Sequence, residues 1–241
     1  MSTASQAAEL VQPFLERHPE YVRLGRRLYR RPIAHVRVGF TIGRIGYKGS
    51  VRPNWFIGFS FGRPPGFGTG AGKFMDRATG FLDQPDLQDR LLAEMELANS
   101  TVLVRATSLE SLLELQWVAD PIDGMQRGDQ GLVLAALGRL REAEDDLGTD
   151  LHNRLVGIQL EPPIEKWHRV GSKPWQREVD ARAHYAETIA NLQRAYDLVA
   201  KRDRPGLAAL LHDWEAQSAR TNKTDHLWTP TPFPLELGAG D

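Results

Sequence analysis

Val36-Arg37-Val38-Gly39-Phe40-Thr41-Ile42-Gly43 and Trp55-Phe56-Ile57-Gly58-Phe59-Ser60-Phe61-Gly62 each place an apolar side chain at every second position. Side chains alternate across a strand, so this period marks two strands with one face in a core. Tyr47 to Pro53 joins them, which predicts an antiparallel pair. Leu24 to Arg31 reads as a third strand with a blurred alternation, ended or pushed to an edge by Pro32. With Val36, Val38, Phe40, Ile42, Trp55, Ile57, Phe59 and Phe61 in the core, His35, Arg37, Gly39, Thr41, Gly43, Gly58, Ser60 and Gly62 share a small cationic opposite face. Glycines there allow a ligand or another backbone to come close, or let the sheet coil.

Helical spacing surrounds this pair. Ala7, Leu10, Val11, Phe14 and Leu15 form one helix face, with Thr3 and Gln6 placed for a capping box. Arg63 to Gly72 (RPPGFGTGAG) predicts a loop that no regular element crosses. Leu87, Leu91, Met95 and Ala98 mark a helix opened by Pro85, Thr101 to Ala106 reads as a short strand, and Ser108 caps a helix carrying Leu109, Leu112, Leu113 and Trp117. Asp120 to Gly128 reads as loop. Leu132 to Leu147 reads as one helix with an acidic exit, and Val156, Ile158 and Leu160 as a last strand. From Pro174 a long amphipathic helix, a break at Asp203 to Gly206 and a helix bearing Leu207, Leu210, Leu211 and Trp214 predict a helical hairpin. The Pro- and Thr-rich tail from Thr221 reads as a surface strap anchored by Trp228 and Phe233, or as a disordered end.

The expected fold class is therefore α+β: a small N-terminal antiparallel sheet packed with helices, followed by a helical C-terminal section. The expected organisation is an α+β domain over 1–165, a helical hairpin section over 166–220 and a tail over 221–241.

Charge is sorted along the chain. Arg17 to Lys73 holds twelve basic residues and one acid, Glu20; Phe74 to Glu165 holds seven basic residues and eighteen acids; the remainder is balanced. A net charge of −1 over 241 residues hides a basic segment written as strands and an acidic one written as helices. Such a pair is either an anion-binding face or two halves of an internally complementary fold. The chain has no cysteine, which excludes disulfides, thiolate metal sites and cysteine nucleophiles. No run of about 18 apolar residues and no signal-peptide pattern occurs, so neither a membrane partner nor secretion is expected, and the cytoplasm is the expected location.

Catalytic patterns are few. Gly58 to Gly62 matches G-x-S-x-G with Ser60 as nucleophile, but a nucleophile elbow must open a helix, and Arg63, Pro64, Pro65 and Gly66 follow. Gly66 to Phe74 (GFGTGAGKF) resembles a phosphate loop around Lys73 and lacks the glycine and the hydroxyl a Walker A needs. Arg177 and His184, six residues between them, fit an Arg–His ribonuclease pattern; Arg30 with His35 and Arg220 with His226 fit equally, which is near chance. Glu142, Glu144, Asp145, Asp146 and Asp150, with His152, match no calcium loop and read as a solvated face. Lys166, Trp167, Arg169, Lys173 and Trp175 interleave rings with cations, the composition that stacks bases and holds phosphates, or a linker whose indoles dock into a core.

The expected function is that of a soluble binding protein that is not an enzyme and needs no cofactor or metal. Its expected anion-binding residues are Arg26, Arg30, His35, Arg37, Arg44 and Lys73, and its expected partner is nucleic acid, a phosphorylated ligand or an acidic protein. The alternative is a hydrolase or ribonuclease-like enzyme using Ser60 or the Arg177 and His184 pair.

Overall fold

The computed structural model describes residues 4–44, 46–62, 70–115, 127–160 and 162–238. The fold is α+β, with an N-terminal antiparallel sheet followed by helices. It divides into two compact units.

The first unit holds helix α1 (Ala4–Arg17), strands β1 (Tyr21–Leu24), β2 (Arg27–Arg30), β3 (Val36–Gly43), β4 (Ser50–Phe59), β5 (Gly70–Phe74) and β6 (Gly80–Phe81), and helices α2 (Leu87–Thr101) and α3 (Leu109–Leu115). Strands β1 to β5 form an antiparallel meander in chain order, and β6 adds to the first residues of β4. The two alternating stretches pair in register: Val38 faces Ile57, Phe40 faces Trp55, and all four are buried. On that face Phe14 of α1 meets Phe40 and Tyr21, each with ring centroids 5.3 Å away. Leu87, Leu91, Met95 and Ala98 bury one stripe of α2, as their spacing requires. Burial pushes the Tyr21 hydroxyl above its ordinary pKa, and that hydroxyl donates to Asn99 Oδ1 at 2.7 Å. Gly25, with φ of +61°, opens the two-residue link between β1 and β2, a conformation that favours glycine.

The second unit holds α4 (Arg127–Ala136), α5 (Leu140–Leu160), α6 (Lys173–Ala200) and α7 (Arg204–Thr221), closed by a 3-10 turn at Pro234–Leu237. Leu147, Leu192, Val199, Leu211 and Trp214 fill its core. Phe233 is fully buried there, 5.2 Å from Phe61, and His212 Nε2 lies 2.8 Å from Glu236 of the same turn. The tail is thus a strap: Phe233 anchors it to this unit, while Trp228 pairs with Ile33 in the first.

Several expectations change. Leu24 to Arg31 is two strands' worth of hairpin, β1 ending at Leu24 and β2 starting at Arg27. Thr101 to Ala106 is the end of α2 and a 3-10 turn, Leu103–Arg105, because its carbonyls are capped by a side chain described below. Gly70 to Gly72, the end of the expected loop, belong to strand β5 (Gly70–Phe74), held by backbone pairing with Asn54 to Gly58. Leu132 to Leu147 is two helices, broken where Gly138 adopts φ of +81°. Glu142 therefore sits in the first turn of α5, where negative charge complements the helix dipole, and Glu144, Asp145, Asp146 and Asp150 follow along the same helix in place of an acidic exit. Val156, Ile158 and Leu160 continue α5. The break between α6 and α7 is 201–203, so Gly206, expected within it, lies inside α7, where its N–H donates to the Asp203 cap at 3.0 Å, and Ser108 Oγ accepts from Ser111 N at the start of α3. Thr3, the stretch 63–69, Trp117 and 120–126 lie outside the described residues.

Candidate anion-binding face

Strands β1 to β5 contain six basic residues, Arg23, Arg27, Arg30, Arg37, Arg52 and Lys73, and no acid. Pairing partners share a face, so the register sorts these residues into two sets. Arg30 is opposite Tyr21, on the side of the core, and there its guanidinium donates to Leu103 O at 2.7 Å and Ala106 O at 2.5 Å. The cation adds a second donor to Leu103 O, which also accepts from Ala106 N at 3.1 Å, and supplies one to Ala106 O at the end of the 3-10 turn. Lys73 is opposite Trp55 and exposed at the sheet edge.

The other face carries Arg27 and Tyr29 from β2, Arg37 and Thr41 from β3, Arg52, Asn54 and Phe56 from β4, and Phe74 from β5, with Gly39, Gly43, Gly58 and Gly72 between them. Arg27 is exposed, and Thr41, Arg52, Asn54, Phe56 and Phe74 are half-buried. The rings and cations are locked to one another. Arg52 lies 3.6 Å over the Phe74 ring, Arg27 Nη1 donates to the Tyr29 hydroxyl at 3.2 Å, and Tyr29 meets Phe56 edge to face at 5.6 Å. Arg37 sits deeper, donating to Phe59 O at 3.1 Å.

The glycines answer to the sheet's own backbone. A Cβ on Gly43 would stand 2.5 Å from Arg52 O, one on Gly72 2.7 Å from Trp55 O, and one on Gly39 would overlap Leu28 O. Neighbouring strands approach where those side chains are missing, which fits a strongly coiled sheet.

Cations concentrate at one end of this face. Arg27 pairs with Thr41 and Arg52 with Gly43, the last residue of β3. Arg26, in the link before β2, donates to Ile42 O at 3.0 Å, and Arg44 follows Gly43 exposed to solvent. Burial first, and then the charge of Arg44, hold the Arg26 guanidinium below its ordinary pKa. Arg26, Arg27, Arg44 and Arg52 therefore gather positive charge at this end of the sheet, with Arg52 over the Phe74 ring.

The remaining candidate residues lie elsewhere. His35 Nε2 is 3.1 Å from Thr231 Oγ1. Ser60 is buried and its hydroxyl donates to Ala34 O. Arg177 and His184 are both exposed on α6, two turns apart on one side. Trp175 sits in the first turn of α6, half-buried, where its backbone N–H donates to the Ser172 Oγ cap at 3.3 Å; Trp167 is 66% exposed, and Lys166, Arg169 and Lys173 are exposed. Of the clustered acids, Glu142 pairs with Arg139, Glu144 with Arg202 and Asp150 with Arg154, and among the described residues no three His, Asp or Glu group as metal ligands. A depression of about 440 Å³ lined by Glu20, Arg31, Pro32, His226 and Leu227 is open and of mixed charge, with Arg31 donating to Pro19 O at 2.6 Å. No described helix is long and apolar enough to cross a membrane.

Alternation alone puts Arg37, Thr41 and Phe56 on this face; Arg27, Tyr29, Arg52 and Phe74 need the register, which only the paired strands disclose. Compared with known proteins, the chain matches no family model, no curated protein and no solved structure.

Proposed function

We propose that the protein binds single-stranded nucleic acid across the outer face of its sheet, phosphates at the Arg26, Arg27, Arg44 and Arg52 end and bases against Phe56 and Phe74. The observation that carries the reading is five strands without an acid, whose outer face sets the Arg52 guanidinium directly over the half-buried Phe74 ring. Cationic grooves follow a phosphate backbone, and part-exposed rings stack on unpaired bases regardless of sequence. A duplex hides its base faces in its own stack, so it engages the arginines and not the rings. A phosphorylated small ligand or an acidic protein uses the same cations without the rings, and ranks behind for that reason.

A labelled single-stranded oligonucleotide followed by fluorescence anisotropy tests this. If about four phosphates are held, the log–log salt slope is about −2.8, and affinity falls roughly 50-fold between about 50 and 200 mM salt. The matching duplex binds more weakly at every salt concentration. Absence of binding at about 50 mM salt removes nucleic acid as the partner.

A further inference from the structure

Helices α5 and α6 run on past the core of their unit. The buried residues of α5 end at Leu151 and those of α6 begin at Ile189, so among the described residues from His152 to Thr188 none is buried. Yet Leu155, Val156, Ile158 and Leu160, four of six consecutive positions, stand exposed around the last turns of α5. Short helices without tertiary packing are marginal in water, and a helix apolar all round is normally covered.

A contact joins the two helices: Arg154 of α5, held by Asp150 Oδ2 of the same helix at 2.8 Å, sets its guanidinium 5.8 Å from the Tyr185 ring of α6, while Arg182 Nη2 of α6 donates to Pro162 O in the link between them at 2.8 Å. For Arg154, burial alone lowers the pKa, and the hydrogen bond and charge of Asp150 outweigh it.

Away from these contacts, Arg177, Asp180, His184 and Glu187 are all exposed. Their spacing of three, four and three residues places them on one face of α6. Set against itself in the antiparallel direction about residue 182, this face puts Arg177 opposite Glu187 and Asp180 opposite His184, and a two-fold axis repeats both pairs. A face of one sign would repel its own copy; this one complements it.

We propose that the protein self-associates as a two-fold dimer through the outer half of α6, with the Arg177–Glu187 and Asp180–His184 pairs across the axis. The pairing of Arg177 with His184 on one face thereby has a role in register, without catalysis.

Sedimentation equilibrium of the full chain from about 1 to 100 µM tests the proposal. The unaltered chain should dimerise reversibly. Arg177→Glu and Glu187→Arg each set like charges at two symmetry-related places and should weaken dimerisation roughly tenfold or more. The combined R177E/E187R chain should dimerise again, with the same circular dichroism throughout because both sites are exposed. A chain monomeric to about 100 µM, single variants that dimerise like the parent, or a double variant without rescue overturns the proposal. Capture of lipid vesicles or nucleic acid by the arm of a monomeric chain overturns it as well.

Discussion

Alanine at Gly39 is expected to destabilise the protein by about 3 kcal/mol or more, measured as the shift in urea-unfolding free energy. The position lies mid-sheet, between Tyr29 of β2 and Phe56 of β4, and the added methyl group would overlap the Leu28 carbonyl and press on the Phe56 ring tip 3.0 Å away. Relief requires the β2 to β3 separation to widen, which pulls apart Leu28 and Phe40, both fully buried. Gly46→Ala is the matched control. A Cβ there meets nothing within 4 Å, so a change within about 0.5 kcal/mol is expected. Equal effects at the two positions would show that the close strand approach does not constrain residue 39.

The second large effect is on binding. Replacing Arg26, Arg44 and Arg52 together by alanine should weaken single-stranded binding by about two orders of magnitude at about 50 mM salt, since each charge-assisted contact contributes on the order of 1 kcal/mol or more. The salt slope should shrink to about −0.7, the value for a single retained phosphate contact at Arg27. Stability should change little for Arg44, which is exposed. Arg26→Ala removes a hydrogen bond to Ile42 O, so the unfolding curve of the triple variant is the necessary companion measurement. Retained affinity with an unchanged slope would remove this end of the sheet from the binding account.

The legibility of these features in the sequence follows the physics of each segment. Val36 to Gly43 and Trp55 to Phe59 announce themselves because one face is packed and the other is not. GAGKF at Gly70 to Phe74 has no strand propensity; it is a strand because Asn54 to Gly58 offers it a backbone edge, a fact outside its own composition. Conversely, TVLVRA at Thr101 to Ala106 is β-branched yet finishes a helix, because the distant Arg30 supplies donors for the Leu103 and Ala106 carbonyls. Val156, Ile158 and Leu160 alternate as a strand would, and the same residues are helical and exposed on an arm. At the candidate site, the basic bias pointed to Arg26 and Arg44, while Arg30 is occupied with capping. The partnership of Arg52 with Phe74 depends on which residues of β4 and β5 lie opposite, and no local pattern encodes that register.

The most direct measurement of the central claim is an amide NMR titration of the protein with a short single-stranded oligonucleotide at about 50 mM salt. The account predicts shift changes gathered at Arg26, Arg27, Thr41, Gly43, Arg44, Arg52, Asn54, Phe56 and Phe74. Shifts confined to Lys166 through Trp175, or none at all, would contradict it.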